Sequence, residues 1–108
     1  MYRIDNLVKE DIFDLESDLN KGFGKKIRLM MNPDISEDES PTYILKNAEV
    51  SFNNNKIDIK LFVINDDGNE QIFEISEITK FMYSYGNNLC KYRLFKSYSE
   101  TYTFILYY

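Results

Sequence analysis

Histidine and tryptophan are absent from these 108 residues, cysteine occurs once, proline twice and glycine four times. Without histidine the chain loses the commonest general base, the commonest metal ligand and every Ser–His or Cys–His catalytic pair. The lone Cys90 cannot close an internal disulfide, which argues against a small secreted domain. With no imidazole to activate it, it reads as a small buried hydrophobe. No apolar run approaches the ~20 residues of a membrane span, and residues 1–6 lead into charged sequence without the apolar stretch of a secretory leader. Cytoplasm is the expected location.

What the chain has is apolar and aromatic mass: 44% hydrophobic residues, with nine Tyr and eight Phe. That is enough for one core, and the length suits a single domain over residues 1–108. The net charge of −5 is unevenly spread. Residues 1–41 carry ten acids against six bases, residues 42–79 seven against three, and residues 80–108 one against four. Most of the chain should repel a nucleic-acid backbone, so direct nucleic-acid binding is not expected and a basic protein partner suits it better.

Val8, Ile12, Leu15 and Leu19 share one face of a helix over about residues 6–20, with Asp11, Asp14 and Asp18 expected in water. Gly22 and Gly24 stop it. Residues 25–32 alternate as a strand with Ile27, Leu29 and Met31 on one side. A proline-bracketed loop, residues 33–41, then carries Asp34, Glu37, Asp38 and Glu39. Residues 43–52, 56–64 and 70–75 form a three-strand meander, with turns at Asn53-Asn54-Asn55 and at Asn65-Asp66-Asp67-Gly68-Asn69, where Asp-Gly supplies positive φ. Ser76 can cap a short helix ending near Tyr85, with Gly86 as its stop, although a continued strand is the alternative. Residues 89–96 and 100–107 are the last two strands. The expected fold is α+β, an antiparallel sheet of five to six strands with an N-terminal helix and one short helix, in the order αββββαββ.

Gly22-Phe23-Gly24-Lys25-Lys26 follows a helix instead of opening one, so it is a helix stop and not a phosphate loop. Asn65, Asp67, Gly68 and Glu74 fall on a calcium-loop spacing, but its first ligand position is Val63, which offers no oxygen. The acids of residues 33–41 read first as a solvated loop, then as a surface for a basic partner, and last as oxygen ligands for a divalent ion. Tyr92, Phe95, Tyr98, Tyr102, Phe104, Tyr107 and Tyr108 interleave with Lys91, Arg93 and Lys96. Strand alternation explains that pattern as a core with lysines outside, ahead of a stacking face for single strands. Neither a metal nor a cofactor is expected, and no converging acids mark an enzyme.

Residues 57–81, centred on Val63-Ile64-Asn65-Asp66-Asp67-Gly68-Asn69-Glu70, resemble the central hairpin of small phage anti-CRISPR proteins, more narrowly the type II-A inhibitors of the RNA-guided effector nuclease. Ile4-Asp5-Asn6-Leu7-Val8-Lys9-Glu10 would match the start of that family's N-terminal helix. The resemblance implies an acidic DNA mimic that occupies the site reading the protospacer-adjacent motif, a further helix after the hairpin, and contacts through Asn65, Asp66, Asp67, Asn69 and Glu70. The expected function is therefore an inhibitor protein, monomeric or homodimeric, occluding a nucleic-acid-binding surface of a larger enzyme. An immunity protein for a bacterial toxin shares that physics. A structural or assembly module is the other class: a helix and short-stranded meander that closes into an Sm-like or SH3-like barrel, or pairs through an open edge strand, with the C-terminal strand, residues 102–108, as the expected edge.

Overall fold

The computed structural model describes residues 3–6, 9–30, 40–96 and 100–108. It contains one helix, α1 (Lys9–Lys21), and eight strands: β1 (Arg3–Asn6), β2 (Lys26–Met30), β3 (Thr42–Asn53), β4 (Lys56–Ile64), β5 (Glu70–Ile78), β6 (Lys80–Gly86), β7 (Leu89–Phe95) and β8 (Thr101–Tyr107). All neighbours are antiparallel in one sheet of order β1-β6-β7-β8-β2-β3-β4-β5.

This overturns the expected αββββαββ arrangement: the sheet is larger and there is one helix among the described residues. Residues 76–85 are strand. The spacing of Ile78, Phe81, Met82 and Tyr85 is compatible with a helix, but so is alternation. Phe81 is buried in the core and Tyr83 packs against it, while Met82 and Ser84 face the other way. The aromatic content favours the pleated surface. Ser76 caps nothing, and Gly86 enters the Asn87-Asn88 hairpin turn, where Asn88 takes φ 58°. Residues 3–6, expected to lead the helix, pair with β6 instead.

One bent run of chain joins the two ends of the sheet. β5 pairs with β4, β6 pairs with β7, and only Thr79 lies between them, its N–H bonded to the Phe95 carbonyl at 3.0 Å. The bend follows a β-bulge: Ile57 faces Ile78 and Ile59 faces Ile75, so Ser76 and Glu77 together stand opposite Asp58. Glu77 takes φ 58°, and its N–H donates to Asp58 Oδ1 at 2.9 Å. Bulges of this kind raise twist and turn a strand, which lets the sheet curl round its own core.

The inward stripe explains the curl. Ile57, Ile59, Leu61 and Val63 of β4 are buried with Ile27 and Leu29 of β2, Cys90, Tyr92 and Leu94 of β7, and Phe104 and Leu106 of β8. Helix α1 adds Ile12, Leu15 and Leu19 to the same cluster, as its spacing predicts; Val8 lies outside the described residues. The helix stop is divided between two glycines. Gly22 sits so close to Leu106 and Leu45 that a Cβ would meet Leu106 at 3.0 Å, whereas Gly24 takes the left-handed conformation at φ 83°. β8, expected as an exposed edge, is interior, between β7 and β2. Among the described residues the open edges are β1 and β5.

Candidate binding surface

The β4–β5 hairpin is organised by one side chain. Asn65 Oδ1 accepts the N–H groups of Asp67 and Asn69, both at 3.0 Å, while Gly68 N–H donates to the Asn65 carbonyl at 3.0 Å. Gly68 has φ 83°. This is a three-residue loop ending in a left-handed glycine, a step longer than the two-residue turn that Asp-Gly most often makes. The Asn53–Lys56 turn is the two-residue kind, with Asn54 and Asn55 both at positive φ.

The resemblance marked Asn65, Asp66, Asp67, Asn69 and Glu70 as contacts. All five meet at this tip, but in two different roles. Asn65 is consumed by the turn and Asn69 closes it through its backbone. Asp66 and Asp67 are exposed, and Glu70 follows on β5, where its carboxylate accepts from Lys46 Nζ. Asp34, Glu37, Asp38 and Glu39, the other predicted contacts, lie outside the described residues.

Beside the tip, the outer face of β3–β5 carries a hollow of 490 Å³ lined by Lys46, Asn47, Phe62, Val63, Glu70, Gln71 and Ile72. Ile72, 58% exposed, faces Phe62 across the hairpin. Glu74 pairs with Lys60 at 3.4 Å in the next outward row, and Glu49 and Asp58 share that face. Ion pairs this exposed contribute little stability, so the acids remain available to a partner. The outer face thus has two halves of opposite sign: acids dominate on β3–β5, whereas β6–β8 and β2 carry Lys80, Lys91, Arg93 and Arg28 at outward positions and no acid. The charge split along the sequence hinted at this, but only the sheet order places the two halves.

The C-terminal rings divide between the two faces of the sheet, with Tyr102 packed against the core and Phe95 half-buried on the outer side. Tyr92 and Phe104 are fully buried and stacked, with centroids 5.2 Å apart. Tyr107 faces outward beside Arg28, whose Nε donates to its hydroxyl at 3.0 Å. Tyr98 lies outside the described residues. A row of stacking rings for bases is therefore not what these strands present.

The most unusual chemistry is interior, and sequence reasoning missed it. Asp18, expected in water, is only 6% exposed. Its carboxylate accepts from the Tyr92 hydroxyl and, at 2.7 Å, from the Tyr85 hydroxyl, with Cys90 Sγ at 3.8 Å. The Tyr108 hydroxyl donates to the Asp18 backbone carbonyl at 3.1 Å. Asp18 follows Leu15 by three and precedes Leu19 by one, which was the available signal: it borders the apolar stripe. Burial, reinforced by Asp18, pushes the Cys90 thiol up to about 12 and the Tyr85 and Tyr92 hydroxyls well above the ordinary phenol range; burial raises Tyr108 too. All four stay protonated near neutrality, so none is a nucleophile or a base there. The cluster pins the helix to the sheet through hydrogen bonds. Among the described residues no three His, Cys, Asp or Glu side chains gather as metal ligands, and no helix is long and apolar enough to cross a membrane.

Comparison with known protein families, curated proteins and solved structures finds no match for the chain.

Proposed function

We propose that this chain is a small acidic inhibitor protein that occludes a nucleic-acid-binding surface of a larger enzyme, as anti-CRISPR proteins of the type II-A class do, with an RNA-guided effector nuclease as the target. The observation that carries the reading is the hairpin: Asp66 and Asp67 are exposed on a loop fixed by three hydrogen bonds at 3.0 Å, with Glu70 at its base. Acids held on a rigid support complement a basic groove without the ordering cost of a mobile loop. They would act in place of phosphates, so the inhibitor would need no catalytic group. The test is DNA cleavage by a purified type II-A nuclease titrated with the protein. Wild type should inhibit, and Asp66→Lys, Asp67→Lys and Glu70→Lys together should lose at least about tenfold in potency, as loss of close charge pairs at an interface does. Full inhibition by the triple variant would remove the hairpin from the mechanism. No inhibition by wild type would remove the target.

A further inference from the structure

The first half of β5 is an unpaired sheet edge with a defined hydrogen-bonding phase. Asn65 N–H donates to the Asn69 carbonyl at 2.9 Å, closing the first pair of the hairpin. Antiparallel alternation then makes Val63–Gln71 and Leu61–Phe73 the bonded pairs. The N–H and C=O groups of Glu70, Ile72 and Glu74 consequently point away from β4, and among the described residues no strand pairs with them. The side chains of these three residues share the outer face. An apolar residue is flanked by two acids and continues across the hairpin into Phe62 and the adjoining hollow.

We propose that β5 accepts an extended basic segment of a partner protein as an additional antiparallel strand, with an apolar side chain set against Ile72 and cations set opposite Glu70 and Glu74. This rests on the reading of the acidic face as a protein-binding surface and adds the mode of contact and the local chemistry of the partner. Main-chain bonds to the open edge supply affinity, and alternate side chains supply selection. Charge decides between occupants. Two copies of this chain paired through β5 about Ile72 would set Glu70 of one against Glu74 of the other, and like charges directly opposite are destabilising. A strand with lysine, an apolar residue and lysine at every second position, all three on the face toward Glu70, Ile72 and Glu74, reverses that sign.

The probe is a capped peptide of about six residues, the usual strand length, with lysine, valine and lysine at its first, third and fifth positions and threonine between them, so that the three share one face. A second peptide of the same charge, with the valine replaced by glycine and the threonines by serine, serves as control. Both are titrated into the isotopically labelled full chain at low salt while amide exchange is followed residue by residue. The valine-bearing peptide should slow exchange at the Glu70, Ile72 and Glu74 amides and bind more tightly than the control. Ile72→Pro should weaken it by about tenfold or more, because it deletes one edge donor and the apolar anchor but no charge. Should that variant fail to fold, the wild-type exchange pattern decides alone. Equal binding of the two peptides, with no slowed edge amides, would overturn strand addition while leaving the acidic surface intact. Binding of neither peptide would overturn strand addition and count against the acidic surface as well.

Discussion

Replacing Asp18 by alanine should destabilise the protein by roughly 3–4 kcal/mol, a magnitude set by what the carboxylate holds. Two tyrosine hydroxyls donate to it, and hydrogen bonds to a charged group contribute ~1.5–3 kcal/mol each. Tyr85 is 51% exposed, so water takes over most of its bond and the Tyr85 share falls to the low end. Tyr92 is fully buried, and its orphaned hydroxyl carries a desolvation cost of ~1–3 kcal/mol. A loss of that size is a large part of the ~5–15 kcal/mol stability of an ordinary domain. Equilibrium urea unfolding, followed by far-UV circular dichroism, measures it. Tyr92→Phe, which removes the donor and leaves Asp18 bonded to Tyr85, should cost ~1–2 kcal/mol. The double variant should cost less than the two single losses together by at least ~1 kcal/mol, since the orphaned hydroxyl is gone. A loss below about 0.5 kcal/mol for Asp18→Ala, the range of an ordinary surface substitution, or strict additivity in the cycle, would refute the pinning role of this carboxylate.

The same cluster sets an alkaline limit. Cys90, Tyr85, Tyr92 and Tyr108 have folded-state pKa values raised above their unfolded ones, so their contribution is complete below the unfolded values and is lost as pH rises past about 9 for the thiol and about 10 for the phenols. The two fully buried groups, Cys90 and Tyr92, should each lower stability by up to about 1.4 kcal/mol per pH unit above those points. Urea midpoints should therefore hold to pH 8 and fall steadily toward pH 11, and a flat profile would contradict the burial of the cluster. At the bulge, Glu77→Gly should be neutral or stabilising by up to ~1 kcal/mol, because Glu77 occupies a left-handed conformation that costs a side-chain-bearing residue about that much. Asp58→Ala should destabilise by ~1 kcal/mol through loss of the acceptor for the Glu77 N–H. Thermal unfolding of the two variants checks both signs.

Local rules were legible where a turn or a stripe had one meaning. Asp67-Gly68 between two apolar alternations announces the β4–β5 hairpin, the Asn53–Lys56 turn announces β3–β4, and the spacing of Ile12, Leu15 and Leu19 gives the buried face of α1. Residues 76–85 failed because Ile78, Phe81, Met82 and Tyr85 satisfy a helical spacing, whereas the alternation of Phe81, Tyr83 and Tyr85 starts only after the break at Thr79, and nothing in the sequence marks Glu77 as left-handed. The order of strands was not legible either. It depends on β5 and β6 pairing with β4 and β7 at opposite ends of the sheet, a long-range choice that buried β8 instead of leaving it at the edge. Of the candidate site, Asp66, Asp67 and Glu70 came together because they belong to one hairpin. The open edge at Ile72 could be found only once its neighbours were known, whereas Asp18 gave one signal, its place beside the Leu15 and Leu19 stripe, but not its tyrosine partners.

The most direct test of the inhibitor reading is capture of partners from a host lysate by tagged wild-type protein and by the Asp66→Lys, Asp67→Lys, Glu70→Lys variant, at low and high salt, with identification by mass spectrometry. One large nucleic-acid enzyme held by wild type at low salt, released at high salt and missed by the variant is the predicted result. Recovery of the protein alone as a defined oligomer, or of the same partner by both forms, would contradict it.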